Sequence, residues 1–103
     1  MKNGLRIFQT KSDMARAITA TVSGRVQGVM FRDFTCGVAR GLKLVGEARN
    51  MPDGTVRVYA EGPERELQKL ISALEKGPIA AYVAGVSCEW VDTDGRFDSF
   101  GIT

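Results

Sequence analysis

Hydrophobic positions along this chain follow two rhythms, one repeating every second residue and one every three to four. Ile18, Ala20 and Val22 alternate with Thr19, Thr21 and Ser23, the pattern of a half-buried strand. They predict a strand over about Ala17–Val26. The rhythm then changes: Phe31, Phe34, Val38 and Leu42 lie three, four and four residues apart. That is one face of a helix, expected over about Phe31–Leu42. Gly41 suits its end, although Leu42 and Leu44 read as buried. A second strand is expected over Val45–Met51, closed by Pro52-Asp53-Gly54, where proline sets φ and glycine supplies a positive one. Val56, Val58 and Ala60 next alternate with Arg57, Tyr59 and Glu61. Two strands about a short turn make an antiparallel hairpin. Gly62-Pro63 opens a second helix, with Leu67, Leu70, Ile71 and Leu74 as its apolar stripe and Gly77-Pro78 as its end,. A fourth strand near Tyr82–Val91, a turn at Asp92-Thr93-Asp94-Gly95 and a short edge strand within Phe97–Ile102 complete the chain.

The order β-α-β-β-α-β with a short terminal strand predicts an α+β fold. Each helix has one apolar face, so both should cover the same side of an antiparallel sheet. This is the ferredoxin-like split βαβ (βαββαβ) sandwich, with an extra C-terminal edge strand. The architecture hosts many activities and selects none. Residues 1–16 have mixed polarity and no sustained period. They are expected to form a flexible tail, with one domain over 17–103.

Composition narrows the partners. A chain of 103 residues holds one modest core,. Its net charge of +2 suits a small anion better than a long nucleic acid,. There is no run of 18 apolar residues and no signal-peptide core near Met1–Ala17, so neither membrane nor secretion is expected. The two cysteines, Cys36 and Cys88, read as packed thiols and make the cytoplasm the expected location,. The most informative absence is histidine. Without it the chain lacks the commonest general acid–base group and the commonest zinc ligand. Scattered acidic residues do not suggest a magnesium cage.

One stretch does suggest chemistry. Gly24 and Gly28 lie between the first strand and the first helix, and Arg32 follows in the first helical turn. N–H groups at a helix start have no internal partner and point outward. A guanidinium adds a fork of donors that matches two phosphate oxygens. Taken alone, such a loop is equally an ordinary turn beside a solvated arginine. It is neither a Walker A loop nor a dinucleotide fingerprint, since neither spacing occurs. Asn50 reads by itself as a turn residue beside Pro52, although the fold could bring it near the loop.

Together these stretches resemble the acylphosphatase family. Gly24-Arg25-Val26-Gln27-Gly28-Val29-Met30-Phe31-Arg32 is similar to that family's phosphate-loop signature, G-x-V-Q-G-V-x-F-R. Arg49-Asn50, Asp53-Gly54-Thr55-Val56 and Gly62 resemble its second signature, and Gly77-Pro78 and Phe100-Gly101-Ile102 are similar too. The resemblance covers about Thr19–Thr103 and implies hydrolysis of acyl phosphates to a carboxylate and inorganic phosphate. It implies that Arg32 and the main-chain N–H groups of Gln27, Gly28, Val29, Met30 and Phe31 hold the phosphoryl group. It also implies that the Asn50 amide holds the attacking water. No cofactor and no metal are expected. The expected partners are a small acyl phosphate and phosphate or sulfate as a product-like ligand, with no nucleic acid and no membrane, and the expected state is a monomer.

Three positions depart from the family pattern. Glu47 stands where a large aromatic residue is usual, Met30 fills a variable slot beside Arg32, and Lys43 replaces a helix-ending glycine. If the glycine geometry persists at Lys43, a residue with a Cβ is held at positive φ at a cost of about 1 kcal/mol.

The implied reaction fits a histidine-free chain. Its leaving group is a carboxylate, with a conjugate-acid pKa of about 4. It can depart without a proton donor, leaving the protein mainly to position and to stabilise charge. Two other readings stay open here. One is a non-catalytic module binding phosphate or RNA, although only Tyr59 offers an aromatic platform on the central strands. The other is an anion-sensing domain of a larger protein.

Overall fold

The computed structural model describes residues 15–103, so the expected tail over 1–16 lies outside the described residues except for Ala15 and Arg16. These two already belong to the first strand, β1 (Ala15–Arg25). The order continues α1 (Phe31–Gly41), β2 (Val45–Asn50), β3 (Val56–Pro63), α2 (Glu64–Lys76), β4 (Tyr82–Val91) and β5 (Phe100–Ile102). The strands lie side by side as β4-β1-β3-β2-β5, with both helices packed on the same sheet face.

The two rhythms of the chain become the two sides of one core. Ile18, Ala20 and Val22 of β1 and Val56, Val58 and Ala60 of β3 are at most 1% exposed. Ala48 of β2, Phe31 and Ala39 of α1, and Leu67, Leu70 and Leu74 of α2 close over them. Full burial of each large apolar side chain contributes about 1.5–3 kcal/mol, which makes this layer the main source of stability.

β1 runs antiparallel to β3 and β4, and β2 runs antiparallel to β3. β5 departs from the antiparallel expectation, because it pairs parallel with β2. The path of the chain explains this. After β4, at one edge of the sheet, residues 92–99 cross the face away from the helices and reach the other edge after a single reversal. The crossing is tied down: Asp94 and Gly95 donate main-chain N–H groups to Glu61 Oε2 at 3.0 and 3.1 Å. The Phe97 ring lies 5.5 Å from that of Tyr59. Asp94 and Gly95 lie in the expected turn, while Phe97, expected to start the edge strand, is held in the crossing, and the strand is only three residues long.

Helix ends shift in the same small way. Gly62 and Pro63 finish β3, and α2 starts at Glu64 with Pro63 as its N-cap at φ −63°. At the end of α1, Lys43 is held at φ 60°, and Leu44, 2% exposed, turns back into the core.

Candidate active site

Where β1 ends, Gly24 takes φ +123°, and a Cβ there would sit 2.2 Å from the Tyr82 carbonyl oxygen. Only glycine lets β4 approach this closely, and the ladder shifts register between Ser23 and Gly24. The chain then plunges inward at Val26, 1% exposed, and rises through Gly28 at φ 75° to Met30 at φ 62°. Met30 is the N-cap of α1, yet its side chain caps nothing. Among the described residues, no carbonyl or side chain accepts from the N–H groups of Gly28, Val29 or Met30. The next two, of Phe31 and Arg32, belong to the first helical turn, where no internal acceptor exists. Successive unpaired N–H groups in such a turn form an anion-attracting concavity.

The loop faces the end of β2 across a cavity of about 390 Å³. Gly28, Met30, Phe31, Arg32 and Asn50 line it, so the structure brings together the two distant stretches of sequence. Asn50 is no turn residue: it closes β2 opposite Val56, and the turn begins at Met51. Strand alternation turns Asn50 to the same face as Gly46 and Ala48. Its Oδ1 is buried with no hydrogen-bond partner among the described residues. An orphaned buried carbonyl of this kind costs about 1–3 kcal/mol, so it marks a place where a ligand or water is expected.

Gln27 and Val29 do not line the cavity. Gln27 Nε2 donates to the main-chain oxygens of Met51 and Thr55, at 2.8 and 2.9 Å, and so clamps the loop to the hairpin that carries Asn50. Val29 packs against the core. Either residue reaches a ligand only through its main-chain N–H. The hairpin is stiffened in turn by Asp53, whose Oδ1 accepts from the N–H and hydroxyl of Thr55, at 3.0 and 2.6 Å. Those bonds hold its carboxyl below the usual range.

Arg32 is half-buried, and among the described residues no carboxylate lies within ion-pair distance of it. Its Nη1 instead donates to the main-chain oxygen of Thr103 at 3.1 Å. Asp33 and Ile102 also line the cavity. Neither Asp33 nor Thr103 stood out in the sequence, whereas Ile102 lay in the Phe100-Gly101-Ile102 stretch that resembles the family. Asp33 is signalled only by adjacency to Arg32, and nothing local marks Thr103. Among the described residues, no three metal-ligating side chains converge, and no helix is long and apolar enough to cross a membrane.

A family model described as Acylphosphatase matches residues 18–102. An acylphosphatase of Salinibacter ruber is 44% identical over 87 residues, covering 84% of this chain and 92% of that protein. One from Archaeoglobus fulgidus is 44% identical over 86 residues, covering 84% and 96%. Among solved structures, an acylphosphatase from Bacillus subtilis superposes with a TM-score of 0.82 at 36% identity, over 87% of this chain and 99% of that one. One from Coxiella burnetii gives 0.80 at 34%, over 86% and 93%.

Proposed function

The chain belongs to the acylphosphatase family, and from that premise we propose how its loop and hairpin divide the work of the reaction. The activity is hydrolysis of the carboxyl–phosphate bond of an acyl phosphate, giving a carboxylate and inorganic phosphate. These findings do not favour a non-catalytic binding module.

In our reading the phosphoryl group sits in the concavity of N–H groups from Gln27 to Phe31, and the Arg32 guanidinium spans two of its oxygens. Fixed donors of this kind stabilise the charge that spreads over the equatorial oxygens in the transition state. Asn50 Oδ1 accepts a hydrogen bond from a water and aims its lone pair at phosphorus. The water oxygen bonds to phosphorus as the bond to the acyl oxygen breaks. The carboxylate leaves with the electron pair, and the water's proton passes to a phosphate oxygen. No side chain has to donate or accept a proton, in keeping with a chain that has no histidine. The observation that carries the assignment is the buried, unpartnered Asn50 Oδ1 in the cavity that Arg32 also lines.

The wider reading is a monomer of the cytoplasm, supported by the free thiols Cys36 and Cys88,. Phosphate or sulfate acts as a product-like ligand, and nucleic acid is not a partner. Benzoyl phosphate assayed with a chelator present tests the core of the proposal. Turnover should persist, with inorganic phosphate a competitive inhibitor. Loss of turnover on chelation, or inhibition that is not competitive, overturns it.

A further inference from the structure

The sheet face turned away from the helices carries a second concavity, of about 270 Å³. Three arginines, Arg49, Arg57 and Arg96, surround it together with Thr19, Tyr59 and Met51, and Glu47 is the only acid in its wall. Arg49 and Arg57 are directly opposite one another in the β2–β3 ladder. Like charges in that relation oppose pairing of the strands. Carboxylates reach two of the three arginines. Glu47 accepts from Arg49 Nη2 through both carboxylate oxygens at 3.4 Å. Asp94 engages Arg96 at 3.0 Å, and this guanidinium lies over the Phe97 ring, 4.6 Å from its centre. Among the described residues, no carboxylate lies within ion-pair distance of Arg57.

Arg49 donates from Nε to Thr103 Oγ1 and from Nη2 to Glu47, which leaves its Nη1 and the Arg57 fork to meet the oxygens of a phosphoryl group. The Thr19 hydroxyl adds a neutral donor, while the Tyr59 ring and Met51 offer an apolar wall. A volume near 300 Å³ is at the small end of ligand pockets, enough for a compact organic anion. We propose that this cavity is a second anion site, taking a small organic phosphate monoester. The phosphoryl group rests between Arg49 and Arg57, and the organic part lies against Tyr59 and Met51. The site is separate from the catalytic cavity: Asn50 faces the helix side of β2, whereas Arg49 and Met51 face the other. It stands whether or not the roles of Arg32 and Asn50 are as assigned.

Phenyl phosphate, titrated at low ionic strength against the 15N-labelled protein, is the test. Two saturable sets of amide shifts are expected, one over residues 27–32 and one at Thr19, Arg49, Arg57 and Tyr59. Arg57→Gln should weaken the second set by about tenfold, the equivalent of one charge-assisted hydrogen bond. It should leave the first set and benzoyl phosphate turnover unchanged. Arg57→Lys keeps the charge but loses the fork, and should fall between. Shifts confined to residues 27–32, sheet-face shifts that grow without saturating, or equal affinity in Arg57→Gln each overturn the proposal.

Discussion

Arg32 and Thr103, 71 residues apart, meet through one hydrogen bond: Arg32 Nη1 donates to the main-chain oxygen of Thr103 at 3.1 Å. From the other sheet face, Arg49 Nε reaches Thr103 Oγ1 at 3.2 Å. One residue beyond β5 thus touches both the catalytic arginine of our reading and the arginine pair of the open face. The main-chain bond orients the Arg32 fork; the side-chain bond does not. A chain ending at Ile102 loses that main-chain bond together with the Thr103 N–H bond to the Ala48 carbonyl, which ties down the strand end. It should lose at least about fivefold in kcat/KM for benzoyl phosphate, the equivalent of about 1 kcal/mol. Thr103→Ala keeps the main-chain oxygen and should stay within about twofold. Steady-state kinetics on the two variants separates the contributions.

Arg32→Lys replaces a planar fork by a point charge. The fold should persist, because the side chain is no part of the core. Activity should drop by about 10²–10³-fold, the usual effect of removing a donor aimed at transition-state charge. A kcat/KM for benzoyl phosphate within about threefold of the parent, a difference under 1 kcal/mol, would show that Arg32 does not grip the phosphoryl group.

Asn50→Ala separates water positioning from phosphate binding. kcat should fall by about 10²-fold, while the inhibition constant for inorganic phosphate stays within about twofold. Stability offers an independent readout. The buried Oδ1 bonds to no described protein group, so thermal unfolding of the variant should show no loss beyond about 1 kcal/mol. Equal losses in phosphate binding and in kcat would instead make Asn50 part of the phosphate grip.

Tyr59 links the open face to alkaline stability. Burial, followed by its hydrogen bond to the Glu61 carboxylate, pushes its phenol up from 10.0 to about 12. The raised group contributes stability that is fully present below pH 10 and is lost as pH rises through 12,. In that window the unfolded chain releases the phenolic proton while the folded chain still holds it. Chemical denaturation at stepped pH should show stability declining there, and Tyr59→Phe should flatten the decline. An ultraviolet phenolate titration should also lose its late step. An unchanged late step in Tyr59→Phe would show that Tyr59 is not its source.

Lys43→Gly should stabilise the chain by about 0.5–1 kcal/mol. Lys43 sits at φ 60°, where a Cβ is unfavourable, and the gain is partly offset by the greater freedom of glycine in the unfolded chain. Lys43 is exposed and touches no part of the site, so turnover should not change. Urea midpoints measured with an unchanged m-value check the prediction.

Much of the site could be read locally. The Gly24–Arg32 stretch signals a turn into a helix start because glycine conformations, the change of hydrophobic period and the position of Arg32 all act within a few residues. Asn50 was harder. The strand expected over Val45–Met51 contains it, yet Pro52 close by also suggests a turn, and only the fold brings it to the loop. Gln27 has the same character: its side chain clamps the hairpin rather than facing the cavity, and that depends on where Met51 and Thr55 lie in space.

By itself, then, the sequence determined the strand and helix rhythms, the glycine loop that starts α1, and a chemistry without histidine. These rest on backbone sterics, side-chain periodicity and composition, which act at short range. Only the tertiary structure decided that β5 runs parallel to β2, that Asn50 Oδ1 is buried without a partner, that Thr103 holds Arg32, and that Arg49 faces Arg57. Each of these depends on sheet order and register, which emerge when burial of the whole core selects one arrangement of the strands.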